Sequence, residues 1–189
     1  MTFYLTLILT KVIFIRMAKD ILDFILQLQM MKARMDFVSK RTVAVGWVDG
    51  NKKHPPAKGK KASGREPSLA MIARTLNYGT APQFKPDGSI QHSIPPRPFM
   101  EVLRSEFGDY LNKMVRNELG KVAHGKQSTA DFFHNVGVRT KGALQRAMQR
   151  SDKYAPNAPS TIKRKGSSRP LIDTGTLIRS VDFEIRMNK

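Results

Sequence analysis

The chain contains no cysteine. That excludes a disulfide framework, thiolate nucleophiles and cysteine-held zinc. A zinc site would have to use carboxylates and four scattered histidines, His54, His92, His124 and His134, and none of these sits in an HExxH or other paired-ligand spacing. Acidic residues are also scarce: 15 Asp and Glu stand against 33 Lys and Arg, a net charge of +18. Such an excess attracts polyanions, whether nucleic acid, anionic membrane or acidic protein faces, and carries no information about fold. Aromatics make up only 8% of residues, without an RNP-type pair or a zinc-finger pattern to read bases, so any DNA contact is expected to be nonspecific. The 40% apolar content of the 189 residues fits one domain with a modest core.

The one long hydrophobic run is at the start. MTFYLTLILTKVIFIR is almost entirely apolar or Thr from Thr2 to Ile15, broken by Lys11. It is too short for a spanning helix, which needs about 20 residues. It also lacks the basic lead and small-residue cleavage site of a secretory signal. Three readings stand: residues translated from an upstream start codon, with Met17 opening the functional chain; a β-rich arm that docks on a neighbour; or a membrane anchor. Residues 1–16 are therefore set apart from a single α+β domain over 17–189.

Within 17–189, Ile21, Phe24, Ile25, Leu28, Met31, Met35 and Val38 recur at helical spacing and predict a helix with one stripe on the core. Val43, Val45 and Trp47 alternate with small or polar residues, a half-buried strand ending at Asp49-Gly50. Residues 51–66 hold Lys52, Lys53, Lys58, Lys60, Lys61 and Arg65 with no acid before Glu66, and read as a mobile basic loop. A short helix follows from Pro67-Ser68 to Gly79, then a Pro- and Gly-rich loop over 80–98, where residues 80–95 can add further strands. Two longer helices come next, one with a stripe from Phe99 to Val122, the other from Phe132 to Met148. Residues 151–170 read as a basic linker, and Val181, Phe183, Ile185 and Met187 alternate as a last strand. Two strands far apart in sequence, each with one apolar face, are economically paired in a small antiparallel sheet roofed by the long helices: an α+β fold.

Candidate chemistry is thin. Gly120 to Gln127, GKVAHGKQ, has phosphate-loop spacing, but Gln127 replaces the magnesium-binding hydroxyl and a helix precedes it, so it reads as a helix-to-helix turn. Asp173-Thr174-Gly175 matches the aspartic-protease triplet, yet that chemistry needs two carboxylates sharing a proton and the chain has no second triplet. Asp173 is instead expected to cap the amides of a turn over Thr174–Ser180 that launches the last strand. From Arg139 to Arg169 nine cations face Asp152 alone, which favours phosphate or an acidic partner over an ordinary solvated face.

Three blocks together resemble a known family: VAVGWVDG (Val43–Gly50), IPPRPFMEVL (Ile94–Leu103) and APNAPSTIKRKGSSRPLIDTGTLIRSV (Ala155–Val181). Their combination resembles the tail-completion, neck and minor tail proteins of long-tailed bacteriophages, the virion morphogenesis group. The matching positions are Pro95, Pro96, Arg97, Pro98 and Phe99, then Pro170, Leu171, Asp173, Thr174 and Gly175. The resemblance implies an α+β subunit of a ring, sixfold by expectation, at the head–tail junction of the virion, assembled in the host cytoplasm. It implies portal or head-closure proteins and tail-tube or tail-terminator proteins as partners, with no catalysis, cofactor, metal or membrane. The basic residues Lys52, Lys53, Lys58, Lys60, Lys61, Arg65, Lys163, Arg164 and Lys165 would then face genomic DNA or acidic portal and tail surfaces. The charge alone also admits a nonspecific nucleic-acid-binding protein acting away from particles.

Overall fold

The strands at the two ends of the domain pair with each other. β1 (Arg41–Gly46) runs antiparallel to β4 (Asp182–Met187), with Val43 opposite Ile185 and Val45 opposite Phe183. A two-stranded ribbon is marginal alone and needs a hydrophobic cover. The cover is α4 (Thr129–Gln149), which lies across both strands and packs in turn on α3 (Phe99–Ala123). The protein is therefore α+β, as the pairing argument requires. The structure, a computed structural model, describes residues 2–48, 52–55 and 66–188, with no account of the side chains of 2–14, 90–92 and 164.

One glycine sets how closely helix and sheet approach. A Cβ on Gly137 of α4 would lie 2.2 Å from the Phe183 ring. Only a bare backbone lets the ring come this close to the helix. The alternation of the last strand is used for half its length: Val181 is fully buried and Phe183 half-buried, while Ile185 and Met187 stay exposed.

The remaining elements follow local signals. α2 (Leu69–Tyr78) begins where the Ser68 hydroxyl accepts from the Met71 amide at 3.2 Å and ends at Gly79, as its flanking residues predict. The stretch expected as loop at 80–98 contains a hairpin, β2 (Gln83–Phe84) with β3 (Ile90–His92), closed by a turn in which Asp87 accepts from Ser89. The stretch expected as linker at 151–170 is also partly folded. A 3-10 turn at Ser151–Lys153 leads to α5 (Pro159–Lys165), started by Pro159 in its first turn and stopped by Gly166. α6 (Thr176–Arg179) completes the set. GKVAHGKQ is the turn between α3 and α4, with Ser128 capping α4 through the Asp131 amide.

The N-terminal expectations fare differently. α1 (Thr2–Ser39) runs through position 16 without a break, so the apolar extension is helical and not a β-arm. Its predicted stripe reaches the core only at Met35 and Val38, beside Val43, Val122 and Phe132. Ile21, Phe24, Ile25, Leu28 and Met31 are exposed, and so is every described residue from Ile15 to Ala33. The stripe is apolar as expected, but among the described residues nothing covers it before Met35. Among the described residues, no helix is long and apolar enough to cross a membrane.

Candidate functional site

The three sequence blocks meet at one point. Trp47, just past β1, donates from Nε1 to the Leu177 carbonyl at 3.0 Å and to Ser180 Oγ at 3.1 Å, and its ring meets the edge of Phe99 at 5.8 Å. One side chain thus ties the early strand to the IPPRPF block and to the LIDTGTLIRS block. Phe99, Leu69, Leu144, Met148 and Val181 pack around it as the larger of two buried clusters.

The Pro-rich block is held by backbone and by a buried cation. Pro95, Pro96 and Pro98 face outward while Arg97 and Phe99 point in. The Arg97 amide donates to the Leu76 carbonyl at 2.8 Å, and Thr80 exchanges two bonds with Ile94. Gly79 (φ 75°) makes this docking possible, since a Cβ there would sit 2.7 Å from the Ile94 carbonyl oxygen. The start of α3 is capped from outside by Asn77, whose Oδ1 accepts from the Met100 amide at 3.1 Å. Arg97 is only 7% exposed. It donates to the Ala155 carbonyl at 3.3 Å and to Asn157 Oδ1 at 3.1 Å, while Asn157 Nδ2 donates to the carbonyls of Ser168 and Arg169. Burial lowers the Arg97 pKa. The cation is satisfied by neutral oxygens, and through Asn157 it fixes both ends of the α5 segment.

The last block turns sharply. Pro170 and Leu171 are buried, and Leu171 holds a left-handed φ of 61°, a strain of about 1–2 kcal/mol that its burial offsets. The expected Asp173 cap is not made. Thr174 does that work: its Oγ1 accepts from the Thr176 amide at 3.4 Å, while its carbonyl accepts from Arg179 Nη2 at 2.7 Å. Gly175 opens α6, and no side chain caps that helix from the Gly175 position. Asp173 is exposed and has no hydrogen-bond or ion-pair partner among the described residues. The chain leaves Leu171 in the left-handed region, which aims the carboxylate outward and brings the threonine to the amides.

Between the Pro-rich and Asp-Thr-Gly blocks lies an open groove of about 690 Å³, lined by Pro95, Arg97, Lys165, Leu171, Asp173 and Thr174 among others. His54 also borders it, with Nδ1 2.7 Å from the Pro55 carbonyl oxygen. Among the described residues no histidine pairs with a carboxylate, and no group of three or more His, Asp or Glu is placed to hold a metal ion. The groove offers shape and mixed polarity to a ligand, without a nucleophile–base pair.

The basic residues divide. Lys52 and Lys53 are exposed at the base of the 51–66 loop, which is pinched by the Leu69 amide on the Lys52 carbonyl (2.9 Å) and the His54 amide on the Pro67 carbonyl (3.1 Å). Lys58, Lys60, Lys61 and Arg65 lie outside the described residues, as does the side chain of Arg164. Lys163 is exposed on α5, and Lys165 turns back toward the Arg169 carbonyl at 3.5 Å. Part of the excess between Arg139 and Arg169 is neutralised internally: Lys141 pairs with Asp182, Arg150 with Glu106 and Asp152, and Lys153 with Glu106.

A second polar cluster was not legible in sequence. Glu118 of α3 is buried, bonded by Lys121 at 2.7 Å and by Asn135 Nδ2 at 3.1 Å. These donors hold its carboxyl down at about 2, Lys121 foremost, with the Gln127 amide second. Gln127 Nε2 is buried without a hydrogen bond of good geometry, so its help is electrostatic. A Glu three residues before a Lys looks like any exposed helix pair, and only the approach of α4 buries it. In comparison with known proteins, the chain matches no family model, no curated protein and no solved structure.

Proposed function

We propose that this chain is a structural virion protein of a tailed phage, a ring-forming joint between portal complex and tail. The observation that carries the reading is the convergence on Trp47 of the same three blocks on which the resemblance rests. Residues far apart in sequence are spent on holding one rigid junction, and the outward prolines and the groove beside it offer a shaped surface. A joint repeated by symmetry works through many modest contacts of this kind. The test is electron microscopy of particles assembled without the protein. Separated heads and tails, or tails that detach, support the joint; normal infectious particles overturn it.

A second reading, a nonspecific nucleic-acid-binding protein, is favoured by the exposed Lys52, Lys53 and Lys163 within a chain of net charge +18. Gel shifts across a salt series separate the two. A DNA binder gives a steep log–log slope set by its phosphate contacts. Binding that has vanished by about 150 mM salt leaves the joint protein.

A further inference from the structure

The side of α2 turned away from the core carries Met71, Arg74 and Tyr78 at three- and four-residue spacing, while Leu69, Ala73 and Asn77 are buried on the other side. Met71 is 61% exposed and Tyr78 74%. Beside this stripe a pocket of about 250 Å³ opens where α2 meets the end of β1 and the start of α3. Gly46, Ala73 and Phe99 form its buried lining and Trp47 is half-buried there, so the pocket borders the Trp47–Phe99 junction. Arg74, Tyr78 and Met100 form its exposed rim.

Three properties choose the occupant. The first is charge. Of the chain's residues 25% are charged, yet among the described residues this lining holds a single charge, Arg74. Its guanidinium has no ion pair or hydrogen bond among the described residues, and neither has the Tyr78 hydroxyl. Tyrosine, methionine and arginine without Lys, Asp or Glu is the composition of a protein-contact core. One cation is too few to track a phosphate backbone, and it fits one carboxylate beside an apolar anchor. The second is size: small-molecule sites run to about 300–1,000 Å³, and this pocket suits one large side chain. The third is the backbone beside it. The Asn188 amide bonds the Lys40 carbonyl, so the residues exchanging bonds across the ribbon are Thr42 with Arg186, Ala44 with Glu184 and Gly46 with Asp182. Val43 and Val45 therefore turn their amides and carbonyls to the outer edge of β1, where neither makes a backbone bond among the described residues. After Arg41 that strand has no charge, proline or bulge, the usual means of blunting an open edge. Val45 belongs to this edge and to the pocket.

We infer that the pocket and the open edge of β1 bind an extended acidic segment of a partner protein. Its backbone pairs with Val43 and Val45, one apolar side chain fills the pocket, and a carboxylate within two positions of it meets Arg74 and Tyr78. Backbone pairing supplies affinity, and the pocket with its cation selects the sequence. A third strand also covers one bare edge of a ribbon that is marginal with two. The net charge of +18 favours an acidic segment over a second copy of this chain, which would bring the same charge. The inference goes beyond the joint reading and does not rest on it, since capture of a peptide by the purified chain is independent of particles.

The probe is a displayed library of random dodecapeptides, selected on the full chain in about 150 mM salt. The selected peptides are expected to share one large apolar residue with Asp or Glu within two positions. A synthetic copy free of tryptophan is expected to change the emission of Trp47, the single tryptophan and part of the pocket lining. Arg74→Glu, a charge reversal on the exposed rim, is expected to weaken that peptide at least about tenfold. Ala70→Phe, which fills the pocket from its half-buried side, is expected to abolish binding. Wild-type urea midpoints verify that both variants are folded. A selection that enriches nothing, or peptides without the acid, overturns the inference, and so does binding that Arg74→Glu leaves unchanged. A wild type above one chain mass by light scattering that falls to one on Ala70→Phe also overturns it, because a second copy would then be the occupant.

Discussion

Phe99 and Phe24 are the same residue on two long helices, and the protein treats them oppositely. Phe99 is 1% exposed at the junction with Trp47, while Phe24 is 60% exposed on α1. The junction buries its apolar surface against segments of its own chain, and α1 keeps its apolar surface outside. Apolar periodicity therefore marks a face without telling whether the rest of the chain packs on it. The sharpest way to break the comparison is the same substitution at both places. Phe99→Ala is expected to cost about 3–5 kcal/mol, as for other large-to-small changes in a packed core. Phe24→Ala is expected to stay within about 0.5 kcal/mol in dilute protein. Urea unfolding followed by Trp47, the single tryptophan and a member of the junction, measures both. Comparable losses at the two sites would mean that α1 folds back on the body.

The Glu118 cluster extends the contrast to charge, since an ionised carboxylate is buried on α3 while the acids of described α1 stay in water. Its pKa is lowered from the usual 4.5 to about 2, chiefly by Lys121. The stabilisation is thus full above about pH 4.5 and lost as pH falls toward 2, amounting to something on the order of 3 kcal/mol. Glu118→Gln should flatten the stability–pH curve in that window, with urea midpoints as the measurement. An unchanged acid slope would place the titration elsewhere.

How much of this was readable beforehand depended on whether the partner of a residue was local. The pairing of β1 with β4 followed from two one-faced strands with nothing else to cover them, and Ser68 and Gly79 marked the ends of α2 through bonds made within a few residues. Asn77 and Asn157 carried no such signal: each is one more polar residue until α3 or Arg97 arrives from elsewhere in the chain. The helices inside 151–170 were hidden by proline and glycine, which here punctuate short elements and do not exclude them. Of the site, the blocks were visible and their meeting point was not, because Trp47 reaches them only through tertiary packing.

Gly137 sharpens the same lesson within the covered half of the fold. Its missing side chain makes room for Phe183, which no sequence pattern on α4 announces. Gly137→Ala is expected to lose about 1–3 kcal/mol through overpacking, despite alanine's better helix propensity. Phe183→Leu on that background should recover part of the loss, a coupling that a double-mutant cycle reads directly. Additive effects would mean that the ring does not lie on that glycine.

The smallest expected effect concerns the residue that looked most chemical. Were Asp173 the cap of the turn into α6, Asp173→Ala would cost about 1 kcal/mol. The geometry gives the amide bond to Thr174 and leaves Asp173 exposed at the edge of the groove, so the substitution is expected to change the urea midpoint by no more than about 0.5 kcal/mol. Thr174→Val, which removes the hydroxyl and keeps the shape, should cost more than Asp173→Ala in the same measurement. The reverse order would return the cap to the aspartate. The expected order instead leaves Asp173 without a part in the fold, an exposed carboxylate on the rim of the groove that Arg97 and Pro95 also line.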